Sequence, residues 1–278
     1  MKTIDLYLKK HNHSCYLEYG EEIFSLLDQP CLHVRVHNPE GNTRVYPVFQ
    51  QNAMIYGEYS EYMKMHGCAC CSLTSVLAAM RRSMAGYMPQ DIIQTVEKKY
   101  LPRWDYEKNY SRHVSKQMPV TLYGISQILK KESIQCNYVM HFERKTAMDV
   151  IDRHLRSGNP VIFETSRIRY KNNLPISFND KKYAGSYHTM IMLGYDSQGR
   201  VVFTDSATRS WAGDRQRLKW ADLSELMNYM FPQKNTESNP VYFQKRRNTG
   251  GFILVYVWEK IENLIQKNID KLIFIPYN

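Results

Sequence analysis

Residues 186–207 read SYHTMIMLGYDSQGRVVFTDSA. An apolar run, a polar turn around Ser197-Gln198-Gly199 and a second apolar run read as a β-hairpin. The first arm carries His188, by itself more often a structural residue, and the second ends on Asp205, where a chain normally buries no charge. Counted from the turn, His188 lies about nine residues before its centre and Asp205 about eight after, so the two are close in register. A carboxylate beside an imidazole can orient the ring and stabilise its cation.

An imidazole held this way can serve a nucleophile, and the strongest helix of the chain offers one. GCACCSLTSVLAAM, residues 67–80, is rich in Ala and Leu with apolar residues at helical spacing. Three of the six cysteines, Cys68, Cys70 and Cys71, fall within four residues; the others are Cys15, Cys31 and Cys136. The expected helix runs over 68–82. Gly67 would let the backbone turn sharply into it and put Cys68 at its N-terminus. There, free amides and the helix dipole favour a thiolate and an adjacent oxyanion. Cys70 and Cys71 would point into the packing. Metal binding by Cys68, Cys70 and Cys71 with His66 lacks the second ligand pair that zinc requires. No metal and no cofactor are expected.

The remaining pattern places these pieces. GEEIFSLLDQ (20–29) reads as a short helix, and 32–50 as a hairpin turning at Asn38–Asn42. Helices are expected at 89–99, opened by Pro89, at 121–132, at 146–158 with Thr146 as cap and Gly158 as stop, and at 220–230 from Trp220. Strands are expected at 136–142, 160–166, 187–196, 199–206 and 250–259. Helices come first and hairpin-linked strands follow, which is an α+β order. Residues 1–57 read as an N-terminal extension with a β-hairpin and 58–278 as the catalytic domain with a C-terminal tail, together one compact unit.

The 278 residues include 21 Tyr, 10 Phe and 4 Trp, too many aromatics for a disordered chain. No apolar run is long enough to span a membrane. The first residues do not form a secretory signal, so the expected compartment is the reducing cytoplasm. The net charge of +10 is concentrated in residues 98–117, 166–182 and 242–278, with nets of +4, +4 and +3. Residues 98–117 mix Lys and Arg with Tyr and Trp, as nucleic-acid surfaces do, but no nucleic-acid motif accompanies them. The first two basic segments are read instead as lips of a cleft that favours an anionic substrate.

Cys68, His188 and Asp205 together make a helix-borne thiol with a strand-borne His/Asp pair, the papain-like arrangement. The blocks GCACCSLTSVLAAM, LRSGNPVIFE and SYHTMIMLGYDSQGRVVFTDSA, in that order, resemble the double-glycine-leader (bacteriocin-processing) peptidase family over roughly residues 60–258. The resemblance implies a papain-like α+β fold with Cys68 as nucleophile, His188 as base and Asp205 as orienting acid. It implies a thiol-dependent hydrolase or acyl/peptidyl transferase acting on an amide or thioester of a peptide or small acyl substrate. The sequence departs from the pattern at Ala69 and Cys70. It also lacks the Gln that papain-like enzymes carry about six residues before the nucleophile: position 62 is Tyr, and Gln50 and Gln51 lie too far upstream for that spacing. That gap leaves a catalytically weak or inactive papain-like binding module as the alternative.

Overall fold

The computed structural model describes residues 6–7, 16–24, 29–38, 41–51, 54–84, 86–99, 122–139, 142–166, 169–171, 174–176, 187–207, 218–230 and 251–257. Four strands come first: β1 (Leu6–Tyr7), β2 (Tyr16–Phe24), β3 (Gln29–His37) and β4 (Thr43–Val48). Helices α1 (Ser60–Met80), α2 (Pro89–Lys99) and α3 (Leu122–Lys131) follow, then β5 (Cys136–Val139) and α4 (Arg144–Arg156). The rest comprises β6 (Val161–Ser166), β7 (Arg169–Lys171), β8 (Leu174–Ile176), β9 (Tyr187–Tyr195), β10 (Val201–Thr204), β11 (Leu218–Ala221), α5 (Leu223–Met230) and β12 (Phe252–Val255). Most of the basic segment 98–117, the polar stretch 232–249 and the C-terminal residues 258–278 lie outside the described residues.

The first four strands form one antiparallel sheet in sequential order. A second sheet has the order β11-β10-β9-β6-β12-β5, with every pair antiparallel. It is buried on both faces, which explains why its strands read as continuous apolar runs rather than alternating ones. Ile162, Ile191, Leu193, Val202 and Ile253 pack into one core with α1, α2, α3 and the N-terminal sheet. Val161, Phe163, Met190, Met192, Phe203 and Phe252 pack into another with α4 and α5. Each fully buried Leu, Ile or Phe contributes roughly 1.5–3 kcal/mol, so the layers are held mainly by these two apolar cores.

The N-terminal sheet is tied to α1. Leu17, Val34, Val36, Tyr46 and Val48 share the core of Leu73, Val76 and Leu77 on that helix. Arg44 on β4 also donates to the Ala79 carbonyl at 3.4 Å and the Val257 carbonyl at 3.5 Å. The first of these satisfies one of the acceptors that a helix end leaves open.

Several expected elements differ. Residues 20–24 are strand, because GEEIF continues the pairing of β2 with β3 as far as Phe24 opposite Gln29. Trp220 lies in β11 opposite Val202, and the helix after it starts at Leu223. Glu143, not Thr146, caps α4: its carboxylate accepts from the amides of Lys145 and Thr146 at 2.9 and 2.7 Å. Helix α1 begins at Ser60, eight residues before Cys68, because SEYMKMH extends the helical run backwards.

Candidate active site

The hairpin of β9 and β10 is not regular, and its irregularity positions the site. Val201 faces Tyr195 and Val202 faces Gly194, but Phe203 then faces Met192 and Thr204 faces Ile191. Leu193 is the extra residue of a β-bulge. Had the first register continued, Asp205 would oppose Ile191, whose side chain lies on the other face from His188. The one-residue slip sets Asp205 opposite Met190, on the face of His188 and diagonal to it. The His188 Nε2 then meets the Asp205 Oδ1 at 2.7 Å. The same carboxylate oxygen accepts from the Ala207 amide at 2.8 Å, which fixes it in place. Glycine suits the bulge: Gly194 has φ 156°, and a Cβ there would come within 3.2 Å of Leu17.

Helix α1 brings Cys68 to this pair. Ser72, one turn further along the helix, donates to the Thr189 carbonyl at 3.3 Å. The Thr189 amide and the His188 side chain both hydrogen-bond the Cys68 sulfur. β10 makes its last pair with β9 at Ile191, so α1 takes over as the neighbour of β9 at Thr189. With Nε2 on Asp205, Nδ1 is the imidazole nitrogen left for the sulfur.

Cys68, His188 and Asp205 are 5%, 7% and 5% exposed. Burial alone would push the Cys68 thiol up, and the Glu164 carboxylate pushes the same way. The His188 hydrogen bond and charge and the Thr189 amide outweigh both, so the thiol sits below its ordinary value. Burial alone would discharge His188. The Asp205 charge and hydrogen bond, with help from Cys68, instead push it up to about 10. Cys68 and His188 thus each favour the charged form of the other, and the Asp205 carboxylate supports the imidazolium. Cys70, two residues on, is inert by contrast. It lies in the core with its Sγ on the Pro89 carbonyl at 3.4 Å, and burial, with Cys71 and Cys68 nearby, pushes it well above the usual thiol range. Cys71 is also a core residue.

The expected source of thiolate stabilisation is corrected. Cys68 is not at a helix N-terminus, and within α1 its amide faces the Lys64 carbonyl. The dipole and free amides of a first turn are not available to it. Gly67 does not turn the chain into a helix either. It makes room inside one, since a Cβ there would stand 2.7 Å from the Cβ of Gln51.

Gln51, which the sequence spacing passes over, packs against α1 just before Cys68. Its amide Nε2 donates to the Lys64 carbonyl at 3.3 Å, the same carbonyl that the Cys68 amide faces. It lies 17 positions before the nucleophile rather than six because a 3-10 turn (Met54–Tyr59) and two turns of α1 intervene. The glycine immediately before a candidate nucleophile, inside a helical run, was the available signal that something packs closely there.

No helix among the described residues is long and apolar enough to cross a membrane. No curated protein and no solved structure matches this sequence. The model of the Peptidase_C39 like family matches residues 43–234, a span that holds Gln51, Cys68, His188 and Asp205; the chain belongs to that family, and so to the papain-like cysteine peptidase superfamily, with the mixed helix and antiparallel-sheet architecture expected of it.

Proposed function

We propose that the protein is a cysteine peptidase-like enzyme that cleaves or transfers an acyl group at an amide or thioester bond, with Cys68 as nucleophile, His188 as acid and base, and Asp205 as orienting acid. The Cys68 thiolate attacks the carbonyl carbon, a C–S bond forms, and the C=O π pair moves onto oxygen. Collapse of this intermediate breaks the bond to the leaving amine or thiol, which takes the proton of His188. The acyl-enzyme then passes its acyl group to water, giving a peptidase or amidase, or to an amine or thiol, giving a transferase. His188 takes the acceptor's proton in that step. Asp205 keeps the imidazole oriented and favours its cation. Gln51, whose Nε2 lies on the Lys64 carbonyl one turn before Cys68, is the side-chain donor for the oxyanion in this reading. The substrate is a peptide or small acyl compound, and the positive charge of residues 98–117 and 166–182 favours an anionic one.

The observation that carries this reading is the 2.7 Å His188–Asp205 bond next to a thiol held below its ordinary value, while the thiol two residues away is held well above it. Iodoacetamide labelling with mass spectrometry tests it. Cys68 alkylates selectively and fast at neutral pH, and His188→Ala removes that selectivity. Slow, equal labelling of all six cysteines sinks the reading. One observation favours a binding module instead, namely that the Cys68 amide is engaged within α1 and cannot face an oxyanion without the helix yielding. In that case Cys68 alkylates but is not acylated by activated esters.

A further inference from the structure

Gln51 packs against α1 at Gly67, the residue before Cys68, and the orientation of its side-chain amide is fixed. A primary amide can be turned either way, and only one orientation presents N–H groups to a developing oxyanion. Two contacts decide between them. The Lys64 carbonyl can only accept, so the nitrogen must face it. On the other side the Ser206 hydroxyl donates to Gln51 Oε1 at 3.0 Å. The main chains are also joined, since the Gln51 amide donates to the Ser206 carbonyl at 2.9 Å. Both residues are buried, at 7% and 6% exposure. Ser206 follows Asp205 directly, so the strand end that supplies the acid also holds the oxyanion donor.

We propose that Ser206 is a positioning residue for acyl transfer, whose hydroxyl holds the carboxamide oxygen of Gln51 so that Nε2 faces the reacting carbonyl beside Cys68. The proposal rests on Cys68 being the nucleophile and deepens that reading. Its role is separable from thiolate formation. Ser206 has no hydrogen bond to Cys68 or His188, so it leaves their charge balance intact. It acts only on steps in which negative charge appears on a carbonyl oxygen.

Two reagents on the same sulfur separate these steps. Iodoacetamide alkylates Cys68 by displacing iodide and forms no oxyanion. A p-nitrophenyl ester acylates it through a tetrahedral oxyanion that expels p-nitrophenolate, which is read by absorbance. In Ser206→Ala, loss of one hydrogen bond lowers the acylation rate about tenfold, while the alkylation rate and its pH profile stay as in the wild type. Ser206→Thr, which keeps the hydroxyl, restores acylation. In a Gln51→Met background, which has no amide to orient, adding Ser206→Ala lowers acylation no further. Equal losses in both reactions, or no loss in either, overturn the proposal. So does an undiminished effect of Ser206→Ala in the Gln51→Met background when alkylation of Cys68 in that double variant keeps its wild-type rate, which shows that it is folded. Failure of wild-type Cys68 to react selectively with iodoacetamide overturns the underlying reading instead.

Discussion

Two buried histidines of this molecule behave in opposite ways. His154, on α4, is 1% exposed, with its Nε2 on the Val255 carbonyl at 3.0 Å and its ring edge-on to Tyr256. Burial holds it down to about 4, although the Val255 and Pro160 carbonyls pull it the other way. His188 is comparably buried yet is pushed up to about 10. The difference lies in the partner. Carbonyl dipoles do not offset the cost of a buried imidazolium, whereas a carboxylate in contact does. A strand histidine in an apolar run therefore says little by itself, and Asp205 is what gives His188 chemical character.

The comparison breaks most completely at Asp205. Asp205→Asn leaves His188 a hydrogen-bonding neighbour without charge, closer to the surroundings of His154. The imidazole then loses its proton near neutral pH, and Cys68 loses the cation that holds it as thiolate. Acylation of Cys68 falls by about a thousandfold or more, as for removal of an orienting acid from a triad. The lower limb of the alkylation–pH profile moves to higher pH. A variant whose profile superimposes on the wild type would show that Asp205 does not set the charge of His188.

The two histidines also predict opposite limbs of the stability–pH curve. His188 is raised above its unfolded value of 6.5, so its contribution is complete below pH 6.5 and is lost as pH rises through about 10. His154 is lowered, so its contribution is complete above pH 6.5. It is lost as pH falls from 6.5 to about 4, because there the unfolded chain takes a proton that the folded chain refuses. A gap of that size amounts to about 3 kcal/mol at most. Urea midpoints at pH 7 and pH 4 measure it, and His154→Gln flattens the acid limb. An acid limb equally steep in His154→Gln would assign the loss to other groups.

The same contrast shows how much of the site is legible in the chain. The hairpin around Gly199 and the nearness of His188 to Asp205 follow from counting residues either side of a turn, because strand pairing is periodic. The bulge at Leu193, which turns Asp205 to the face of His188, does not follow from counting. A single inserted residue inside an apolar run leaves no polar mark, and Leu193 and Gly194 read as ordinary strand. The N-terminus of α1 is hidden for a related reason. SEYMKMHG mixes polar, aromatic and glycine residues, and it is the tertiary packing of Tyr62 and Met63 in the core that supports helix there. Helix α2 behaves in the opposite way, since Pro89 at its first position marks its start in sequence and structure alike. Gln51 was illegible because distance along the chain stood in for distance in space, and the intervening helix coils those residues up.

The smallest expected effect tests whether that close packing matters to chemistry. Gly67→Ala favours α1 by about 1 kcal/mol on intrinsic propensity. Its methyl would overlap Gln51 Cβ and meet the Met63 methyl at 3.0 Å, so one of the two must move. Gln51 is tied to Ser206 through its main chain, so moving it displaces its side-chain amide from the Lys64 carbonyl. Stability therefore changes by less than about 1 kcal/mol in either direction as propensity and overlap offset each other. Acylation of Cys68 falls a few-fold, to about tenfold, and alkylation changes little. An alanine at position 67 that leaves acylation untouched would mean that Gln51 can retreat without loss. The donor to the oxyanion would then have to come from elsewhere around Cys68.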